Sequence, residues 1–158
     1  MSDQDRRDLV AQMKNRALIY METYDVLAEE LGAAKAEELL TRAIYNRGRA
    51  MGKNFAKFAP ADLKGLKESF LASVPGGADI FQPEVKKEGA AELEFLLHGC
   101  PLKDAWREAG LAEDKVATLC RIAGAVDKGL FEGAGFKLQN RTWTPGATGC
   151  CFLHIERG

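Results

Sequence analysis

The residues with chemistry to offer in this 158-residue chain gather between His98 and His154. The most informative stretch is His98-Gly99-Cys100-Pro101-Leu102. Proline favours the first position of a helix, so Cys100 falls at or beside the N-cap. Unsatisfied amide groups and the positive end of the helix dipole favour a thiolate there, which predicts a lowered pKa and a nucleophile or metal ligand. The other reading of Cys100 is a small residue packed at a strand-to-helix turn. Cys120 lies on the apolar stripe of its own helix and reads as packing. Strand alternation places Cys150, Phe152 and His154 on one face and Cys151, Leu153 and Ile155 on the other, so only one of the adjacent thiols faces a given site. Cys151, with apolar partners throughout, is the more core-like; Cys150 and His154 line either a polar pocket or a solvated face.

Charged residues complete the inventory. Asp127 near a helix end is a candidate general acid/base or a solvated helix-end carboxylate. Arg121 and Arg141 offer the bidentate fork that a substrate carboxylate takes, with His98 as a further polar contact, or are surface charges. Cys100, Cys120 and one of Cys150 or Cys151, with His98 or His154, would make a zinc set if the fold drew them together, but no CxxC or HxxxH spacing supports it. No cofactor is expected.

The elements that must position these groups fall into two parts, 1–73 helical and 80–156 of mixed type, within one domain spanning 1–158. Apolar residues at helical spacing predict a helix from Gln4 to Leu31, with Ser2 as cap and Gly32 as stop, and a second from Ala33 to about Phe58. Gly48 and Gly52, four apart in the second, admit a closely packed helix within the fold or in a dimer, or are merely tolerated. A third helix from Pro60 or Ala61 to about Leu71 precedes the breaker run Val74-Pro75-Gly76-Gly77. Strands are predicted over Ile80–Val85 and Glu92–His98, turning through Lys86 to Gly89, with Leu93, Phe95 and Leu97 on one face. Helices Pro101–Ala109 and Ala112–Lys128 follow, then strands Phe136–Trp143 and Cys150–Ile155 around a Pro-Gly-rich turn. This order predicts an α+β architecture, a four-stranded antiparallel sheet of two hairpins covered by helices, rather than a βαβ dinucleotide fold.

Composition excludes several classes. Hydrophobic residues at 46% exclude disorder, and 22 basic against 23 acidic residues leave a net charge of -1, with nothing to steer the chain to nucleic acid or an anionic membrane. Arg42, Arg47, Arg49, Lys53 and Lys57 recur as the solvated face of a helix. No run reaches the roughly 20 apolar residues of a membrane span, and Met1 to Arg7 lacks a signal-type apolar stretch, so a cytoplasmic location with reduced thiols is expected.

The ordered run Cys100-Pro101-Leu102, Trp106, Gly110-Leu111, Leu119-Cys120, Asp127, Phe136, Arg141 and Gly149-Cys150-Cys151-Phe152 resembles the L-2-amino-thiazoline-4-carboxylic acid hydrolase family. The likeness is best from about Leu93 to Ile155; upstream, Glu30-Leu31-Gly32 and the helix after it fit the family's helical part. It implies opening of the thiazoline ring to N-carbamoyl-cysteine, a step in a bacterial route to cysteine. Water or a thiolate must attack C2, a cation must hold the carboxylate, and an acid must assist departure of the ring sulfur. On that reading Cys100 is nucleophile or water-orienting group, Asp127 is acid/base, and Arg141 or Arg121 is the clamp, with a small molecule as the main partner. The family also looks like a distant relative of 4-vinyl reductase-type domains, which implies as alternative a small-molecule- or metal-binding sensory module. A third reading is a homodimer formed through the long first helix.

Overall fold

The computed structural model describes residues 1–158, and its helix ends follow local chemistry. α1 (Asp3–Leu31) opens on a capping box: Ser2 Oγ accepts from the Asp5 amide while the Asp5 carboxylate accepts from the Ser2 amide. It stops at Gly32, whose φ of 86° suits a residue without Cβ. α2 (Ala33–Gly52) tightens into a 3-10 segment over Lys53–Phe58, where the sequence predicts continuous α-helix. α3 (Leu63–Ser73) starts at Asp62, whose Oδ1 accepts from the Gly65 amide at 2.9 Å.

The breaker run then leads into one helical turn, α4 (Ala78–Phe81), where the sequence predicts the start of a strand. Ile80 is buried there, between Gly77 and a left-handed Gln82, and strand β1 (Pro83–Glu88) begins only afterwards. The run Lys86-Lys87-Glu88, predicted as turn, instead belongs to β1. Charged residues suit an edge strand, where they discourage further pairing. β2 (Glu92–Leu97), α5 (Pro101–Glu108), α6 (Glu113–Gly133), β3 (Lys137–Thr142) and β4 (Cys151–Glu156) complete the order.

All four strands pair antiparallel in the order β1-β2-β4-β3, so β4 joins the two hairpins. The α+β arrangement is the one the pattern predicts. Leu93 and Phe95 of β2 and Leu153 and Ile155 of β4 are fully buried beneath the helices, while their alternates Glu92, Glu94, Phe152 and His154 lie on the outer face. Two apolar clusters fill the helical side. One centres on Trp106, whose indole N–H donates to the Ala17 carbonyl at 2.8 Å and pins α5 to α1. The other stacks Phe70 against Phe95 and Phe131, with ring centroids 5.4 and 5.1 Å apart.

Gly48 and Gly52 meet α6 within the chain. A Cβ on Gly48 would stand 2.2 Å from the Val126 carbonyl oxygen, and one on Gly52 2.3 Å from that of Leu130. Across the seam, a Cβ on Gly129 of α6 would stand 2.1 Å from the Tyr45 carbonyl oxygen, and one on Gly133 2.8 Å from that of Arg49. Four glycines thus let two helix backbones touch, and Tyr45 Oη closes the seam by donating to Glu132 at 2.6 Å. No helix is long and apolar enough to cross a membrane.

Candidate functional site

Two groups of the candidate residues come together, at opposite sides of the sheet end. The first is a thiol centre. Chain leaving β2 turns through Gly99, where a Cβ would meet the Ile80 carbonyl oxygen at 2.3 Å, and delivers Cys100 to the N-cap of α5 with Pro101 behind it. Chain entering β4 is tied to the same loop: the Cys150 amide donates to the Leu97 carbonyl at 2.7 Å and its Sγ to the Gly99 carbonyl at 3.2 Å. Cys150, predicted to share the face of His154, is thereby buried, and Cys151, predicted to be the more core-like, is only half-buried, because the β4 ladder begins at Cys151 and Cys150 still belongs to the loop. Cys100 and Cys150 become hydrogen-bonding neighbours, Cys151 adjoins Cys150, and Cys120 acts electrostatically with Cys100 from α6.

The N-cap position is as expected, but the electrostatic outcome is reversed. The hydrogen bond with Cys150 and then desolvation push the half-buried Cys100 thiol well above its ordinary range. The amides of Leu102 and Lys103 turn toward the sulfur and pull the other way, without closing a capping hydrogen bond, and they lose. Burial pushes Cys120 up to about 12. For Cys150 the bond with Cys100 favours the thiolate, but the bond with Cys151 together with burial overrides it and the pKa rises. Cys100, Cys120 and Cys150 are therefore neutral S–H groups rather than activated thiolates. Lys103, which sequence reasoning passed over, is the cation that acts on both Cys120 and Cys150.

The second group lies on the outer face. β3 and β4 place Arg141 opposite Phe152 and Gln139 opposite His154, and these four line an open recess of about 310 Å³. Arg141 stacks its guanidinium on the Phe152 ring at 4.6 Å and has no carboxylate partner. His154 Nδ1 is 2.9 Å from Glu94 Oε1, and its Nε2 looks toward Glu92 Oε2 at 3.6 Å and Glu156 Oε1 at 3.7 Å. The bond to Glu94 raises the imidazole pKa against a smaller effect of burial. Glu92 and Glu94 were absent from the sequence-based candidates. Their signal was the alternation Glu92-Leu93-Glu94-Phe95, which turns both carboxylates away from the core.

The remaining candidates stand apart. Asp127 is half-buried on α6, which packs against the inner face, so β3 separates it from Arg141. It has no hydrogen-bond partner, and burial pushes its carboxyl up to about 7. Arg121 is exposed and is held by Glu37 of α2 through Nε at 3.0 Å and Nη2 at 3.3 Å. His98, also exposed, pairs its Nε2 with Glu84 at 2.7 Å on the β1 side of the sheet.

The zinc set drawn from the sequence does not assemble as a compact group. Glu92, Glu94 and His154 form the trio whose ligand atoms all lie within 4.8 Å of one another, and that trio has the donors to coordinate a metal ion. The sulfurs of Cys100, Cys120 and Cys150 do not converge so closely.

The sequence model of the L-2-amino-thiazoline-4-carboxylic acid hydrolase family matches residues 12–154, taking in the helical part as well as the cysteine-bearing part. No curated protein matches the sequence. Among solved structures, the chain is similar to a crystal structure of trafficking protein particle complex subunit 3 from Naegleria fowleri covalently bound to palmitic acid. The TM-score is 0.60 at 12% identity, covering 94% of this chain and 96% of that one, which is a likeness of fold.

Proposed function

Because the chain belongs to the L-2-amino-thiazoline-4-carboxylic acid hydrolase family, we propose that it opens the ring of a 2-amino-thiazoline-4-carboxylate-type substrate to N-carbamoyl-cysteine. The observation that carries this reading is the meeting of an unpaired Arg141 with the Glu94-bound His154 in one open recess. Arg141 receives the substrate carboxylate through its fork of N–H donors. Glu92, Glu94 and His154 form the water-activating end. Water adds to C2, the C2–S bond breaks, and the departing sulfur takes up a proton, so one water enters and a free thiol leaves.

This reading gives the attack to water and not to Cys100, because a neutral thiol is a poor nucleophile. The thiol centre serves instead to bind the entry of β4 to the start of α5. It also moves the acid/base work from Asp127 to the outer face, since Asp127 lies across β3 from Arg141. The test is turnover of the thiazoline acid by the purified chain, followed as release of free thiol and as N-carbamoyl-cysteine. Losing a charge-assisted hydrogen bond costs about 1.5–3 kcal/mol, so Arg141→Met is expected to raise KM by roughly 10- to 100-fold. No turnover, or turnover indifferent to Arg141→Met, would overturn the assignment.

A second reading, a ligand-carrying module without turnover, is supported by the protonated thiols and by a fold shared with the Naegleria subunit. Stabilisation of the chain by the thiazoline acid with no product formed would favour it.

A further inference from the structure

We infer that His154 and the carboxylates around it form a binding site for one divalent first-row metal ion, with His154 Nε2 and Glu92 as ligands, Glu156 completing the set and Glu94 orienting the ring. The geometry of the imidazole is the basis. Nδ1 is engaged by Glu94 Oε1 at 2.9 Å, so the neutral ring keeps its proton on that side, and a metal ion takes Nε2 by displacing the second proton that the surrounding carboxylates favour. A carboxylate on the far nitrogen is the arrangement that orients metal-bound histidines. Nε2 in turn stands 3.6 Å from Glu92 Oε2 and 3.7 Å from Glu156 Oε1. Ligands at about 2.0–2.1 Å from a tetrahedral ion are separated by roughly 3.4 Å, so each oxygen taken singly stands within a few tenths of an ångström of its coordinating separation from Nε2, and the Glu156 side chain turns in to complete the set.

The strand register adds an independent electrostatic argument. Glu92 and Glu156 are direct cross-strand partners in the β2–β4 ladder, and Glu94 is the partner of His154. Like charges placed directly opposite each other destabilise a sheet, and a bound cation removes that cost. Lys87 reaches Glu92 from β1 and Lys137 is the cross-strand partner of Glu156 from β3, so these ammonium groups are the ion's competitors. The donors are one imidazole and oxygens, with no thiolate, which suits zinc or manganese over copper(I). One side of the cluster opens on the recess lined by Arg141 and Phe152, where a metal-held water would face a bound ligand. The inference deepens the hydrolase reading by stating how water would be activated, yet the site is defined by protein atoms alone.

Zinc chloride titrated calorimetrically into the full chain, with no thiazoline present, tests it. One ion per chain is expected, with binding at least tenfold weaker in His154→Asn and in Glu92→Gln, and unchanged in Cys100→Ser/Cys150→Ser. Circular dichroism confirms that each variant is folded; Glu92 is on the surface, so Glu92→Gln carries the test if His154→Asn does not fold. No binding, or binding lost with the two thiols and retained without His154 or Glu92, would overturn the site. Because no substrate enters the measurement, zinc binding without turnover rejects only the hydrolase reading, and turnover without zinc binding rejects only the metal.

Discussion

Replacing Gly48 by alanine tests the seam between α2 and α6. On helix propensity alone the change should stabilise α2 by about 1 kcal/mol. The new Cβ would lie 2.2 Å from the Val126 carbonyl oxygen, against 3.4 Å for ordinary contact, so the two backbones must part by more than an ångström. The obstacle is main chain of a second helix, which has no rotamer to change, so the upper part of the usual overpacking cost, roughly 3 kcal/mol, applies. The net expectation is a loss of about 2 kcal/mol, which for a chain of this length lowers Tm by about 4–8 °C. Differential scanning calorimetry of the native chain, Gly48→Ala and Asn46→Ala measures it. Asn46 is exposed two residues away and reports the propensity gain without the collision. A Gly48→Ala chain as stable as native or more so would refute the close-packed seam. A loss that appears only above a threshold protein concentration would place the glycines at a subunit boundary instead.

Two further outcomes test the electrostatics. Asp127 carries a folded-state pKa of about 7 against 3.8 unfolded, so the native state holds its proton more tightly and stability falls as pH rises through that window. Asp127→Asn is expected to flatten the pH dependence and, at pH 8, to gain up to about 4 kcal/mol in urea unfolding. Identical profiles for the two chains would count against the buried acid. Cys100, Cys120 and Cys150 should react with iodoacetamide at neutral pH at least tenfold more slowly than a free cysteine peptide, recovering in denaturant, since each unit of raised pKa lowers the thiolate fraction about tenfold. Faster labelling of Cys100 by mass spectrometry would restore the activated thiolate.

What could be read in the sequence was local. Ser2, Gly32 and Pro101 mark helix ends through chemistry within a turn of themselves, and the alternation of Leu93, Phe95 and Leu97 identifies the buried face of β2. What failed depended on distant partners. The electrostatics of Cys100 turn on Cys150, fifty positions on, and Arg121 is occupied by Glu37 from another helix. The strand misplaced at Ile80 shows the same limit, since β1 is an edge whose charged residues resemble a turn until its pairing with β2 is known. Glu92 and Glu94 gained meaning only when the ladder set them beside Glu156 and His154.

The position of β4 bears on how the molecule assembles. It follows the other three strands in the sequence and yet lies inside the sheet, between β2 and β3. During synthesis the first hairpin must wait with one flank of β2 unpaired until residues 151–156 emerge. Loss of that six-residue strand would therefore do more than shorten the protein. It would leave two disconnected flanks free to recruit strands from other chains, making insolubility the expected symptom of a late frameshift.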